Sequence, residues 1–156
     1  MNTDKGSAPG VIALPPLVYV PFLAMGIVLD FLFPVPVLPN RVQYAAGFTV
    51  MALSGLIIPF VLLEFRKART DFNPRKPTTA IITTGPFRFS RNPSYLVLTL
   101  LCVGIGIAAG SIWILGLLIP AIVVMHYGVI VREERYLENK FGEEYLRYKR
   151  SVRRWL

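Results

Sequence analysis

Residues 91–134 read RNPSYLVLTLLCVGIGIAAGSIWILGLLIPAIVVMHYGVIVREE. From Pro93 to Val131 this stretch holds no Asp, Glu, Lys or Arg, and only Gly110-Ser111 divides it. A helix in water needs a polar face, and neither half has one. At about 1.5 Å per residue each half approaches the roughly 30 Å of a bilayer's hydrocarbon core. The two halves, residues 93–109 and 111–131, therefore read as an antiparallel pair of membrane helices joined by a tight turn. Gly104, Gly106, Gly110 and Gly116 are expected to let these two backbones approach closely.

Two more apolar blocks precede the pair, at residues 11–33 and 42–65. Pro15, Pro16 and Pro21 predict an irregular or kinked first half of the first block. The segment from Pro34 to Asn40 cannot stay helical and reads as a short loop. The polar first ten residues precede a long block without a small-residue cleavage site, so the first block reads as a span and not as a cleaved leader. The expectation is an all-α integral membrane bundle of about four transmembrane helices, a single domain over 1–156. Two N-terminal spans fill 1–73, and a loop, the helical hairpin and a tail fill 74–156.

The charges lie between and after the blocks. The chain carries a net charge of +8. No nucleic-acid motif accompanies it, and basic residues beside apolar blocks suit anionic lipid headgroups, so no nucleic-acid partner is expected. The loop between blocks two and three holds seven Lys or Arg, the tail from Arg132 holds eight, and the first loop holds only Arg41. Both termini on the cytoplasmic side satisfy this asymmetry, as expected for the inner membrane of a prokaryote. The loop is read as structured, anchored by Phe72, Ile81, Ile82, Phe87 and Phe89. The tail reads as two amphipathic helices broken at Gly142 and lying on the membrane surface.

Three local features point to chemistry. Asn92 and Pro93 are residues favoured at a helix start, which would leave free N–H groups and the positive dipole end facing the loop, an anion site. Because the hairpin is antiparallel, Asn92, Pro93, Ser94 and Tyr95 meet Arg132, Glu133 and Glu134 at one depth. His126, the one histidine, lies inside a span on the face of Glu133. It reads either as a functional group or as a neutral histidine bonded to a neighbouring helix. Cys102 reads as core packing, Trp113 as an interfacial anchor, and no metal site is expected.

The runs Thr83-Thr84-Gly85-Pro86-Phe87-Arg88, Arg91-Asn92-Pro93-Ser94-Tyr95, Arg132-Glu133-Glu134 and Phe141-Gly142-Glu143-Glu144-Tyr145, with Tyr148, Val152 and Arg153, resemble the signature of the isoprenylcysteine carboxyl methyltransferases. They are also similar to the related phospholipid N-methyltransferases. The resemblance spans roughly residues 74–156. It implies a membrane-embedded methyltransferase that uses S-adenosyl-L-methionine and acts on a lipophilic acceptor. By that resemblance the cofactor is held by Thr79, Ala80, Ile81, Ile82, Phe87, Asn92, Pro93, Ser94, Tyr95 and Glu133. Where the eukaryotic prenylcysteine enzymes hold histidine this chain has Asn92, and where they hold an arginine near the acceptor it has Val129. Arg132 or Arg135 is the candidate to replace that arginine. For an amine acceptor, His126 or Glu134 is the candidate base. The leading reading is a methyltransferase acting on a lipophilic acceptor, similar to the isoprenylcysteine carboxyl methyltransferases, with Val129 favouring an acceptor less acidic than a carboxyl group. The alternatives are methylation of a phospholipid or other lipid amine, and a small membrane scaffold or lipid-binding protein without catalysis.

Overall fold

A computed structural model of the chain describes residues 9–35 and 39–156. The described residues form helices and no strand. In order these are α1 (Pro15–Leu32), α2 (Asn40–Lys67), a single 3-10 turn (Gly85–Arg88), α3 (Pro93–Ala109), α4 (Ile112–Met125), a π-helical segment (His126–Ile130), α5 (Val131–Phe141) and α6 (Glu143–Ser151). Three helical runs are long and apolar enough to cross a membrane: Pro15–Leu32, Asn40–Lys67 and Ile112–Phe141; α3 is shorter, at 17 residues. Phe31, Phe48, Leu56, Phe60 and Ile119 all stand more than half exposed. Apolar side chains spread over the outside of the bundle suit a hydrocarbon surrounding.

Pro15 and Pro16 do not kink α1. They occupy its first two positions, where a missing N–H costs nothing, and the helix begins there and not at Val11. Residues 9–14 instead run along the π segment, with the Ile12 N–H donating to the Gly128 carbonyl at 3.2 Å. Part of the loop expected from Pro34 to Asn40 lies outside the described residues. Asn40 itself already belongs to α2.

α2 packs along α3, and α1 packs along α4. The glycines divide between these seams instead of all serving the hairpin. A Cβ on Gly104 would meet Met51 Cγ of α2 at 2.6 Å, whereas one on Gly106 would meet Leu115 Cδ2 of α4 at 2.7 Å. Gly116 faces open space. The hairpin turn is as tight as the sequence requires: Gly110 closes α3 with φ +64°, and the Ser111 hydroxyl caps α4 by accepting the Ile114 N–H at 3.2 Å. Tyr19, Cys102, Leu118, Met125, Val129 and Ile130 form the centre of the core. Trp113 donates its indole N–H to the Phe33 carbonyl at the end of α1.

The tail forms the two helices that the sequence predicts. The chain is helical without a break from Ile112 to Phe141, so α5 begins as a continuation of α4 through the π segment. The break at Gly142 is present, with φ +55°, and α6 follows it.

Candidate active site

The hairpin puts the start of α3 beside the start of α5. The Tyr95 hydroxyl donates to Glu133 Oε2 at 2.6 Å, and Arg91 Nη2 lies 3.2 Å from Glu134 Oε1. The loop from α2 folds over this junction. Asp71 and Asn73 form successive side-chain turns by accepting the Asn73 and Arg75 N–H groups. The Thr79 N–H donates to the Thr70 hydroxyl at 3.1 Å. Thr84 bonds to the Glu64 carboxylate, and the rings of Phe72 and Phe87 pack edge-on against Phe65 at 5.2 and 5.6 Å. Of the expected anchors, Phe89 is instead 74% exposed.

Between loop, α3 and α5 lies a cleft. Eight of the ten residues that the resemblance assigns to a cofactor line it: Ala80, Ile81, Ile82, Phe87, Asn92, Ser94, Tyr95 and Glu133. Thr79 and Pro93 do not. Thr79 is engaged with Thr70 and with the Arg69 carbonyl, and Pro93 forms the first turn of α3. Of the three residues considered catalytic, Glu134 lines the cleft. His126 and Arg132 do not. Arg132 is exposed and donates to the Gly10 carbonyl at 3.2 Å. His126 Nε2 lies 3.2 Å from Arg154 Nη1, and since a guanidinium only donates, that imidazole nitrogen is the acceptor.

The first turn of α3 is held differently from the expectation. Asn92 is the cap residue, but its side chain accepts no N–H from the helix. Its amide instead donates to the Arg154 carbonyl at 3.0 Å, while the Ser90 hydroxyl accepts the Asn92 N–H at 3.1 Å. The Arg91 N–H donates to the Arg153 carbonyl at 3.0 Å. The C-terminal segment thus straps the start of α3.

Glu134 is 4% exposed and binds two guanidiniums. Arg154 grips it in a fork, Nε to Oε1 at 2.9 Å and Nη2 to Oε2 at 2.7 Å, and Arg91 approaches from the loop. The bonds to Glu134 hold the Arg154 guanidinium above its ordinary pKa. Tyr145 and Tyr148 complete this end of the cleft. Burial pushes both phenols well above their ordinary value, with the Glu134 charge adding to the rise at Tyr145 and Arg91 opposing it at both. The Tyr148 hydroxyl donates to the Phe87 carbonyl at 2.7 Å, tying α6 to the loop. The tyrosines and Arg91 were visible as parts of sequence runs. Arg154 carried no local signal, because its partners are remote in sequence.

A second, apolar groove adjoins the cleft. Pro15 and Pro16 of α1, Val61 and Leu62 of α2, and Leu98 and Leu101 of α3 line it. Phe72, Ser94 and Tyr95 belong to both spaces.

The sequence profile of a family described as phospholipid methyltransferase matches residues 42–144. That interval carries the loop, the hairpin and the Asp71, Glu133 and Glu134 carboxylates that line the cleft. A Haemophilus influenzae protein described as uncharacterized is 48% identical over 61 residues, which cover 39% of this chain and 94% of that protein. No solved structure matches.

Breaking a buried ion pair from one side leaves an uncompensated charge and costs about 3–5 kcal/mol. Glu134→Gln strands two guanidiniums and is expected to lower stability by that amount in thermal unfolding of the detergent-purified chain. Glu143→Gln, which removes an exposed partner of Arg150, is expected to change it by less than about 0.5 kcal/mol. Equal melting of the two variants would refute the clamp.

Proposed function

The chain belongs to the phospholipid methyltransferase family, a family of membrane methyltransferases, and from that premise we propose that it methylates a lipid amine with S-adenosyl-L-methionine as donor. The observation that carries this reading is the meeting of a polar cleft with an apolar groove at Phe72, Ser94 and Tyr95. A group-transfer enzyme working on lipid needs a place for a charged donor and a place for acyl chains, with the reacting atoms held where the two join.

The residues of the cleft fit the donor's chemistry. The start of α3 suits a carboxylate, since Pro93 has no N–H to satisfy and the positive dipole end lies at the cleft beside Ser94, while the Tyr95 and Leu96 N–H groups bond to the Asn92 carbonyl. Glu133 suits an ammonium or ribose hydroxyls. Ala80, Ile81, Ile82 and Phe87 offer apolar walls for a purine. Bound there, the cofactor supplies a methyl group on a sulfonium, electrophilic without acid assistance. The work left to the protein is to align the acceptor and exclude water.

An amine acceptor must also lose its proton. Tyr95, donating to Glu133, stands with Ser94 at the junction and is the polar group we assign to such an amine. Glu134, held by two guanidiniums, serves to fix the loop and the C-terminal segment, and His126 acts on the site through Arg154. Val129 supports the amine over a carboxylate acceptor. The prenylcysteine enzymes that the sequence resembles hold an arginine at this position, whereas Val129 is fully buried in the apolar core. Ile58, Val61 and Leu101 along the groove suit acyl chains reaching in from the bilayer between α1 and α2.

The acceptor's charge makes a pH test. An amine of ordinary pKa near 10 is almost wholly protonated at neutrality, so its reactive fraction rises about tenfold per pH unit between about pH 6 and 8. Transfer of labelled methyl to phosphatidylethanolamine by the purified chain is expected to climb over this range, and Tyr95→Phe to lower the rate at every pH. Flat activity on a prenylcysteine analogue with none on the aminophospholipid would restore the carboxyl methyltransferase reading. No transfer to any lipid would favour the scaffold.

We further propose four spans, with α3 crossing as the partner of α4 and both termini cytoplasmic, on the basis of the Lys and Arg asymmetry. Single cysteines at the exposed positions Asn40 and Ala109 are expected to react with an impermeant reagent from outside the cytoplasm. Cysteines at Thr83 and Ser151, also exposed, are expected to stay protected until the membrane is opened. The reverse pattern would invert the topology. Native Cys102 is buried and does not interfere.

A further inference from the structure

Arg91 presents more hydrogen-bond donors in the cleft wall than the described residues satisfy. Its side chain is 7% exposed. Its Nη2 reaches Glu134, but Nε and Nη1 are buried without a partner among the described residues. A buried charged donor left unsatisfied carries the full cost of its desolvation, so such an atom calls for an explanation. Glu134 takes the Arg154 fork and Arg91 Nη2, and neither Nε nor Nη1 of Arg91 reaches it. Two guanidiniums share that single carboxylate. Of the other carboxylates lining the cleft, Glu133 accepts from Tyr95 and Asp71 is paired with Lys76. The Tyr145 and Tyr148 phenols beside Arg91 stay protonated and bring no negative charge.

The position of the guanidinium is fixed. The Arg91 backbone N–H is tied to the Arg153 carbonyl, and the next two residues begin α3. The free N–H directions of Arg91 therefore lie beside the positive end of a helix of 17 residues. Both features favour an anion in the same part of the cleft.

We propose that Arg91, with the first turn of α3, binds an anionic oxygen group of a ligand, either the carboxylate of the methyl donor or the phosphate of a lipid headgroup. The proposal rests on the reading of the cleft as the donor and acceptor site. It adds to that reading a residue that neither the sequence resemblance nor the helix start had assigned. The anion closes the charge balance of the Arg91–Glu134–Arg154 cluster, so ligand binding and ordering of the loop are coupled there.

The test is calorimetric titration of the detergent-purified full chain. The probes are S-adenosylhomocysteine, methylthioadenosine, which lacks the amino-acid part, and a short-chain phosphatidylethanolamine. Wild type is compared with Arg91→Gln and Arg91→Lys, and with Arg88→Gln as a control for surface charge. Arg91→Gln leaves the Arg154 fork on Glu134 in place. If the anion is the donor's carboxylate, Arg91→Gln weakens S-adenosylhomocysteine at least tenfold and leaves methylthioadenosine unchanged. If it is the lipid phosphate, the tenfold loss appears for the phospholipid alone. Arg91→Lys, which keeps the charge without the fork, falls between, and Arg88→Gln matches wild type. If Arg91→Gln does not fold, the same contrast is read from Arg91→Lys, with a several-fold loss expected. Unchanged affinity for both anionic probes in a folded Arg91 variant overturns the proposal. A wild-type chain that binds neither nucleoside but loses phospholipid affinity on Arg91→Gln would refute the donor reading and leave the anion site standing.

Discussion

A carboxylate withdrawn from water must be compensated where it lies, and Glu134 is the buried carboxylate on which this site depends. Its two guanidinium partners come from opposite parts of the chain. Arg91 closes the loop after α2, and Arg154 lies beyond α6. Satisfying one charge at the start of α5 therefore fixes the end of the loop, the start of α3 and the C-terminal segment together. The carbonyls of Arg153 and Arg154 extend the same strap by accepting from Arg91, Ser90 and Asn92. His126 is drawn into the cluster through Arg154.

Around that clamp the molecule separates two kinds of space. The cleft under the loop is lined by hydroxyls, carboxylates and aromatic rings, and the groove beside it by apolar side chains. Tyr95 stands where they join, with its hydroxyl on Glu133 and its ring in the core. The chain belongs to a family of phospholipid methyltransferases, and on the proposed reading the cleft takes the donor and the groove the lipid.

Much of this arrangement was legible in the sequence. A charge-free run broken only by Gly110-Ser111 leaves a chain in a bilayer little choice but a tight hairpin, and α3 runs from Pro93 to Ala109 as the sequence read it. An antiparallel hairpin in turn forces the residues before Tyr95 to meet those around Glu133. Periodicity did not reveal what depends on remote or conformational detail. Arg154 is one basic residue in a basic tail until the fold carries it to Glu134. The π segment at His126–Ile130, within the helical run from Ile112 to Phe141, left no mark in the periodicity. Asn92 is a good cap by residue type, but the Arg154 carbonyl competes for its side chain and wins. Pro15 and Pro16 looked disruptive because their place relative to the helix start was unknown, and at that start they are favourable.

The central claim is that the methyl donor binds between the loop, the start of α3 and α5. Photo-crosslinking with tritiated S-adenosylmethionine, followed by peptide mapping, tests it most directly. The account predicts label within residues 78–95 or 133–148, displaced by excess S-adenosylhomocysteine. Displaceable label confined to α1 and the first half of α2, with none in either of those intervals, would contradict it.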